Sequence, residues 1–278
     1  MSEIPASVVM TLRNRTGLSM MECKKAIVEA RGDLGKAEEL LRKKLKGKMD
    51  ARTDRAAGEG RIAVAIHTGP DAGGAHPHAA IVELRAETDF TAKNEQFIAA
   101  AQRAAELAAE SPAGRVAGQG AISATLDQVR ITTGENCSFA RGEKLLGNAA
   151  SVFGAYVHHD GKKGVLIQAE GVNAETLRDI GMHIVAMVPA PKGISPADIP
   201  QSVVDKERAF RLEQAIESGK PKEIAEKMVE GAIRKFFEDI ALLEQPYVKD
   251  PSKKVKDIVG AGGKIITFKH WLVGEATE

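Results

Sequence analysis

Four groups of residues in this chain have types that can act on another molecule, and three of them lack a partner that the chemistry needs. Cys23 and Cys137 are the only thiols. No base stands at a readable spacing from either, so a buried thiol is a better reading than a nucleophile. His67, His76 and His78 lie close together in sequence, but no cysteine or clear carboxylate set accompanies them, and they read as a solvated loop and not as metal ligands. Gly260-Ala261-Gly262-Gly263-Lys264 has the composition of a phosphate loop. Its glycine spacing differs, Ile265 stands where Ser or Thr is required, and the run precedes a strand, which excludes nucleotide binding there. The fourth group is Glu87-Thr88-Asp89-Phe90-Thr91-Ala92-Lys93-Asn94. Asp89 and Phe90 put a carboxylate beside an aromatic ring in a connection, where a ring exposed on a rigid scaffold serves as a probe for a partner. The alternative is that Phe90 folds back to cap the core.

The elements on either side must position that pair. Ala80–Arg85 mixes β-branched, apolar and charged residues as a strand does, while Phe97, Ala101, Ala104 and Leu107 recur at three and four as a helix face. Asn94 suits the cap of that helix, which runs toward Ser111-Pro112. Ile62, Val64 and Ile66 alternate as an earlier strand, joined to the one at Ala80 by the loop Thr68–His78. Ile122, Leu126 and Val129 mark another helix. The strand, strand, helix plan then returns at Val152–His158, Gly164–Ala169 and a helix after Asn173 that carries Leu177, Ile180, Ile184, Val185 and Val188. Two related antiparallel α+β units follow from this repetition. A last strand, Lys264–Val273, is expected to place Ile266, Phe268 and Leu272 on one face.

Both ends of this core carry helices. Residues 5–46 read as three short helices with turns at Gly17 and Gly32; Ser19 and Glu22 have capping-box spacing, and Asp33 opens the third, which buries Leu34, Ala37, Leu40 and Leu41. Arg42, Lys43, Lys44 and Lys46 then suit the negative end of a helix dipole better than an RNA site. A polar linker is expected from Lys48 to Gly60. Between Asp198 and Gln245 a helical pair breaks at Ser218-Gly219-Lys220-Pro221; Val204, Leu212, Ala215 and Ile216 mark its first arm, and Ala225, Val229, Ala232, Phe236, Ile240 and Leu243 its second. The resulting division is residues 1–55, 56–151 and 152–278, with the helical pair 198–245 inserted in the last.

Composition narrows the function classes. A chain of 278 residues with 43% hydrophobic content can bury a core in two or three modules. Lys+Arg 39 against Asp+Glu 38 leaves a net charge of +1, which gives no electrostatic reason to bind nucleic acid or an anionic membrane. No apolar run approaches the roughly 18 residues of a membrane span. Met1-Ser2-Glu3-Ile4-Pro5 lacks the form of a signal peptide, so a reducing, cytoplasmic setting is expected.

Thr88-Asp89-Phe90-Thr91-Ala92-Lys93-Asn94-Glu95-Gln96-Phe97 resembles the signature of the elongation factor Ts family, the nucleotide exchange factors of the bacterial translational GTPase elongation factor Tu. Leu12–Ile27, continued by Gly32-Asp33, is similar to that family's N-terminal signature. Gly219–Gly231 is close to word for word the tip and second arm of its coiled-coil hairpin, and Gly134-Glu135-Asn136 is similar to the run that begins one of its strands. The resemblance implies an N-terminal three-helix, ubiquitin-associated-like domain, a core of two antiparallel-sheet-plus-helix subdomains and a protruding helical coiled-coil hairpin. It also implies that Asp89 and Phe90 enter the GTPase near its magnesium and phosphate site, and that Leu12, Arg13, Met20, Met21 and His158 are further contacts. His159 follows directly, so which histidine faces outward is open. Elongation factor Tu, GDP-bound and nucleotide-free, is the implied partner, with no cofactor, metal or covalent chemistry. A non-catalytic scaffold built on the helical hairpin is the alternative. Some members of the family continue into a C-terminal helix; contacts from it are not expected here.

Overall fold

The computed structural model describes residues 4–16, 18–50, 55–69, 76–217 and 222–276. Helices α1 (Ala6–Thr16), α2 (Met20–Glu29) and α3 (Leu34–Asp50) close around Leu12, Cys23, Ile27, Ala37 and Leu41. Ser19 caps α2, accepting from the Glu22 N–H at 3.3 Å and donating its hydroxyl to Glu22 Oε2 at 2.8 Å. The expected box therefore closes through the serine hydroxyl. Gly32, at φ +92, turns the chain after α2, and Asp33 Oδ1 accepts the Lys36 N–H at 3.0 Å to start α3. Because α3 continues to Asp50, the linker expected from Lys48 begins later. The turn expected at Gly17 lies outside the described residues, as do the rest of the linker at 51–54, the loop at 70–75 and the helical tip at 218–221.

Strands β1 (Glu59–His67) and β2 (His78–Ala86) pair antiparallel, followed by the single turn α4 (Asp89–Ala92) and by α5 (Glu95–Glu110). Then come β3 (Gly114–Arg115), α6 (Ala121–Thr133) and β4 (Ser138–Leu146), giving a sheet of order β1-β2-β4-β3. The second sheet is built from β5 (Ser151–Val157), β6 (Lys163–Glu170) and, after α7 (Ala174–Ala186), α8 (Gln201–Glu217), α9 (Lys222–Ile240), the small pair β7 (Pro246–Tyr247) and β8 (Asp250–Lys254), and α10 (Val255–Val259), the final strand β9 (Lys264–Leu272). Its order is β5-β6-β9. No helix among the described residues is long and apolar enough to cross a membrane. The architecture is α+β.

Layering follows from which strand positions are apolar. Ala63, Ala65, Ala80, Val82 and Leu84 face Phe97, Ala101, Ala104 and Leu126, and the run of alanines lets α5 lie close to the sheet. On the opposite face Ile62, Ala79 and Ile81 meet Phe153, Leu166 and Trp271 of the second sheet. Beyond that sheet, Val165 and Ile167 pack on Leu177, Ile180 and Ile184 of α7. The order is thus helix, sheet, sheet, helix.

Four sequence expectations change. Ile62, Val64 and Ile66 mark the face toward the second sheet while the helix lies on the alanine side, and Ile66 at the strand's end is exposed. Val188 also is exposed, since α7 stops at Ala186. In β9 the pairing shifts between Gln168 and Ala169, a bulge that turns Ile265 and Phe268 toward α7 and leaves Trp271 on the inter-sheet face. Along the helical pair, Val204, Val229, Ile233 and Ile240 form a small core of their own. Ile216, expected inside it, is exposed.

The sheets are also fastened by charge. Glu83, on the inter-sheet face of β2, is 0% exposed. Its Oε2 accepts from Arg141 Nε at 2.6 Å, and its Oε1 from Arg85 Nε at 2.8 Å and the Gly274 N–H at 3.0 Å. The Arg141 guanidinium lies 4.5 Å from the centre of the Trp271 ring and donates to Leu272 O at 3.0 Å. One carboxylate therefore ties β2 and β4 to the end of β9. Removing one member of such a buried set leaves charges uncompensated, so Glu83→Ala is expected to cost about 3–5 kcal/mol of unfolding free energy. Urea unfolding checks this. A loss below about 1 kcal/mol would show that water screens the cluster.

Candidate partner-binding site

The site is built around α4, between the end of β2 and the start of α5. Thr88 caps it: the Thr88 hydroxyl accepts the Thr91 N–H at 3.3 Å, and Thr88 O accepts the Ala92 N–H at 3.2 Å. Thr91 and Ala92 are buried, which leaves Phe90 pointing away from the core at 83% exposure. The core-cap alternative for Phe90 fails on that number. The connection expected at Asp89-Phe90 is a single helical turn, and Asn94 caps α5 as expected, accepting the Gln96 N–H at 2.8 Å.

Two carboxylates hold this turn from outside. Glu135 accepts the Thr88 hydroxyl through Oε1 at 2.7 Å and the Thr88 N–H through Oε2 at 3.1 Å. In return Glu87 Oε1 accepts the Asn136 N–H at 2.7 Å, while its Oε2 lies 3.5 Å from the Arg55 guanidinium. Asn136 Nδ2 donates to Arg55 O at 2.7 Å. Gly134, left-handed at φ +71, ends α6 and aims Glu135 at Thr88 and Asn136 at Glu87. Sequence reading missed Glu87, Thr88 and Glu135 as supports. The only signal was that Gly134-Glu135-Asn136 stood out as a run.

Asp89 is half-exposed, with Lys93 Nζ 2.7 Å from its Oδ2. That ammonium and, at longer range, Lys162 hold the Asp89 carboxyl below its usual range. Lys162 belongs to the turn after β5, and its Nζ lies 2.6 Å from Glu59 Oε2. Gly161 O of the same turn accepts the Ile62 N–H at 2.8 Å. The turn carrying His158 is thereby brought to the end of β1 beside which α4 sits. His158 is half-buried, its Nδ1 2.9 Å from Asp160 Oδ1 though at a poor angle for a hydrogen bond. His159 is the outward ring, 4.1 Å from that of His158. A cavity of about 330 Å³ between Tyr156, His158, Lys163 and Val185 opens beside it.

The three-helix positions form a separate surface. Met21 is 63% exposed and Met20 40%, and Arg13 is exposed. Leu12 is 0% exposed in the centre of that cluster. As a contact residue it is corrected: its side chain holds α1 in place, and its neighbours reach outward. The cluster rests on α6, where Gln128 Nε2 donates to Thr16 O at 2.8 Å and Ile131 packs into the helical core. One helix thus joins the three-helix surface to the clamp on α4.

The remaining chemistry-bearing residues fall elsewhere. Burial and the nearby Glu135 charge push the Cys137 thiol up to about 12, so it carries no thiolate near neutral pH. Cys23 is buried beside Thr16. His67 and His78 pair across β1 and β2 with rings stacked 4.9 Å apart. No group of three or more His, Cys, Asp or Glu able to hold a metal occurs among the described residues.

A family model described as Elongation factor TS matches residues 87–275, a span that begins at the clamp and includes both sheets' final strands. Over 283 residues the chain is 42% identical to a protein named Elongation factor Ts from Thioalkalivibrio sulfidiphilus, covering 99% of this chain and 94% of that one. It is 40% identical over 284 residues to the protein of that name from Alkalilimnicola ehrlichii, covering 99% and 94%. The one from Hahella chejuensis is 40% identical over 283 residues, covering 100% and 94%. These relatives extend the likeness through the three helices that the family model leaves out, and the chain belongs to the elongation factor Ts family.

Proposed function

We propose that this chain is a guanine nucleotide exchange factor for elongation factor Tu, acting without covalent chemistry on its GDP-bound and nucleotide-free forms. The observation that carries the reading is the exposed Phe90 ring on a turn whose next two residues are buried. An aromatic held out in this way costs little ordering when it enters a partner. Exchange then follows from linkage: a protein that binds the nucleotide-free GTPase more tightly than the GDP form must weaken GDP binding by the same factor. Magnesium on the phosphates is the vulnerable point, because its near-octahedral shell tolerates little displacement. Phe90 is the wedge and Asp89 the carboxylate near that site, with His158 and His159 on the adjoining turn. Arg13, Met20 and Met21 dock the three-helix end on the same GTPase, where a methionine pair offers an adaptable apolar surface.

The three-helix core and the helix-side core of each sheet support the division into modules at 1–55, 56–151 and 152–278, the last two sharing the layer between their sheets. Within the last, the self-contained core of α8 and α9 supports a projecting coiled-coil hairpin at 198–245. The setting is the cytoplasm, where translation takes place. With a net charge of +1, neither nucleic acid nor membrane is a partner. A second reading, a non-catalytic scaffold, draws on Phe210, Ile224 and Met228, which stand exposed on the helical pair.

Phe90→Ala separates these readings. GDP release measured by stopped flow should slow by roughly 30-fold or more, as for loss of an aromatic hot spot, while the melting free energy stays within about 0.5 kcal/mol, as for an exposed site. Asp89→Ala should slow release more than it weakens binding to nucleotide-free GTPase. Normal release by both variants would leave the scaffold reading standing. Deleting residues 1–54, which keeps Arg55 in the clamp, should weaken binding to elongation factor Tu and leave a folded body. Undiminished affinity of the truncated chain would remove the docking role of the three helices.

A further inference from the structure

Resting on the exchange reading, we propose that Glu135 is a positioning residue for exchange, one that fixes α4 so that Phe90 meets the GTPase already in place. Glu135 spends both carboxylate oxygens on Thr88, at 2.7 and 3.1 Å. Thr88 in turn supplies the two hydrogen bonds that close the turn at Thr91 and Ala92. A carboxylate acceptor makes hydrogen bonds roughly twice as strong as a neutral one, so the cap residue of the turn is held by the stronger of its contacts. The Glu135 backbone is itself fixed: Gly134 ends α6 with its N–H on Arg130 O at 2.9 Å, and the Glu135 N–H reaches the Thr133 hydroxyl at 3.3 Å. Glu87 and Asn136 repeat the bond in the opposite sense at 2.7 Å, which closes a reciprocal pair between the two connections. Without Glu135 the turn keeps its buried Thr91 and Ala92 but loses the contact that sets its tilt. The ring then pays an ordering cost as it enters the partner. Because the three-helix surface docks on the GDP-bound form as well, while the ring is inserted only as nucleotide leaves, that cost falls on the maximal release rate more than on the half-saturating concentration.

The test measures fluorescent GDP release from elongation factor Tu against exchange-factor concentration for wild type, Glu135→Ala, Glu135→Gln, Phe90→Ala and the double variant Glu135→Ala/Phe90→Ala, with melting curves alongside. Glu135→Ala should lower the maximal release rate by roughly tenfold, in line with loss of charge-assisted hydrogen bonds, and leave the half-saturating concentration within about twofold. Glu135→Gln keeps the shape and one acceptor, and should fall between. In the Phe90→Ala background the additional loss should shrink below about twofold, because a residue that acts through Phe90 has nothing left to position. An equal loss in both backgrounds, or a wild-type maximal rate for Glu135→Ala, would overturn the proposal while leaving the exchange reading intact. A normal rate for Phe90→Ala would overturn both. Should Glu135→Ala fail to fold, Glu135→Gln carries the same comparison with the same two outcomes.

Discussion

The structure depends on the burial of β2 on both of its faces. One row of its side chains, Ala80, Val82 and Leu84, lies under α5, and the other, Ala79 and Ile81, lies against the second sheet and ends in Glu83 between two arginines. A strand in that position cannot shift without opening one hydrophobic layer and one buried ion cluster together. The chain leaves β2 at Ala86 and, within four residues, presents Phe90. Rigidity is thus created where the strand is buried and used where the chain emerges.

How much of this could be read from residue order differs from feature to feature. Asn94, Ser19, Asp33 and Asn173 announced their helices because a cap is a contact between residues two or three apart, and the alanine-rich face of α5 showed through its period. The position of Phe90 in a connection was legible for the same local reason, but its exposure was not, since local order left a core cap open and burial decides between them. Glu83 was not legible, since beyond its neighbour Arg85 its partners are 58 residues away at Arg141 and 191 away at Gly274. A charged residue in a strand looks like a solvated edge until the opposing sheet is in place. The bulge in β9 was equally hidden, because one unpaired residue changes which side chains share a face without altering composition.

The site shows the same split. Asp89 and Phe90 stood out in the chain as a carboxylate beside a ring, while Met20 and Met21 came from the family resemblance and are exposed at the start of α2. Leu12 resembled a contact by sequence and proves to be the centre of a core, a distinction that requires burial to be known. The clamp at Thr88 joins segments 47 and 49 residues apart. It also places α6, on which the three-helix cluster rests, one glycine away from the support of Phe90. Two surfaces distant in sequence therefore share one helix, and both are set before any partner arrives.

That the turn is already formed in the free protein is the claim on which the account of exchange rests, and amide hydrogen exchange at Thr88, Thr91 and Ala92 tests it directly. Their N–H groups are bonded to Glu135, to the Thr88 hydroxyl and to Thr88 O. In the free chain these amides should be slowed well beyond those of an exposed loop, and adding nucleotide-free elongation factor Tu should leave their protection little changed. Fast exchange in the free chain that slows only on binding would mean that the partner builds the turn, and would contradict the account.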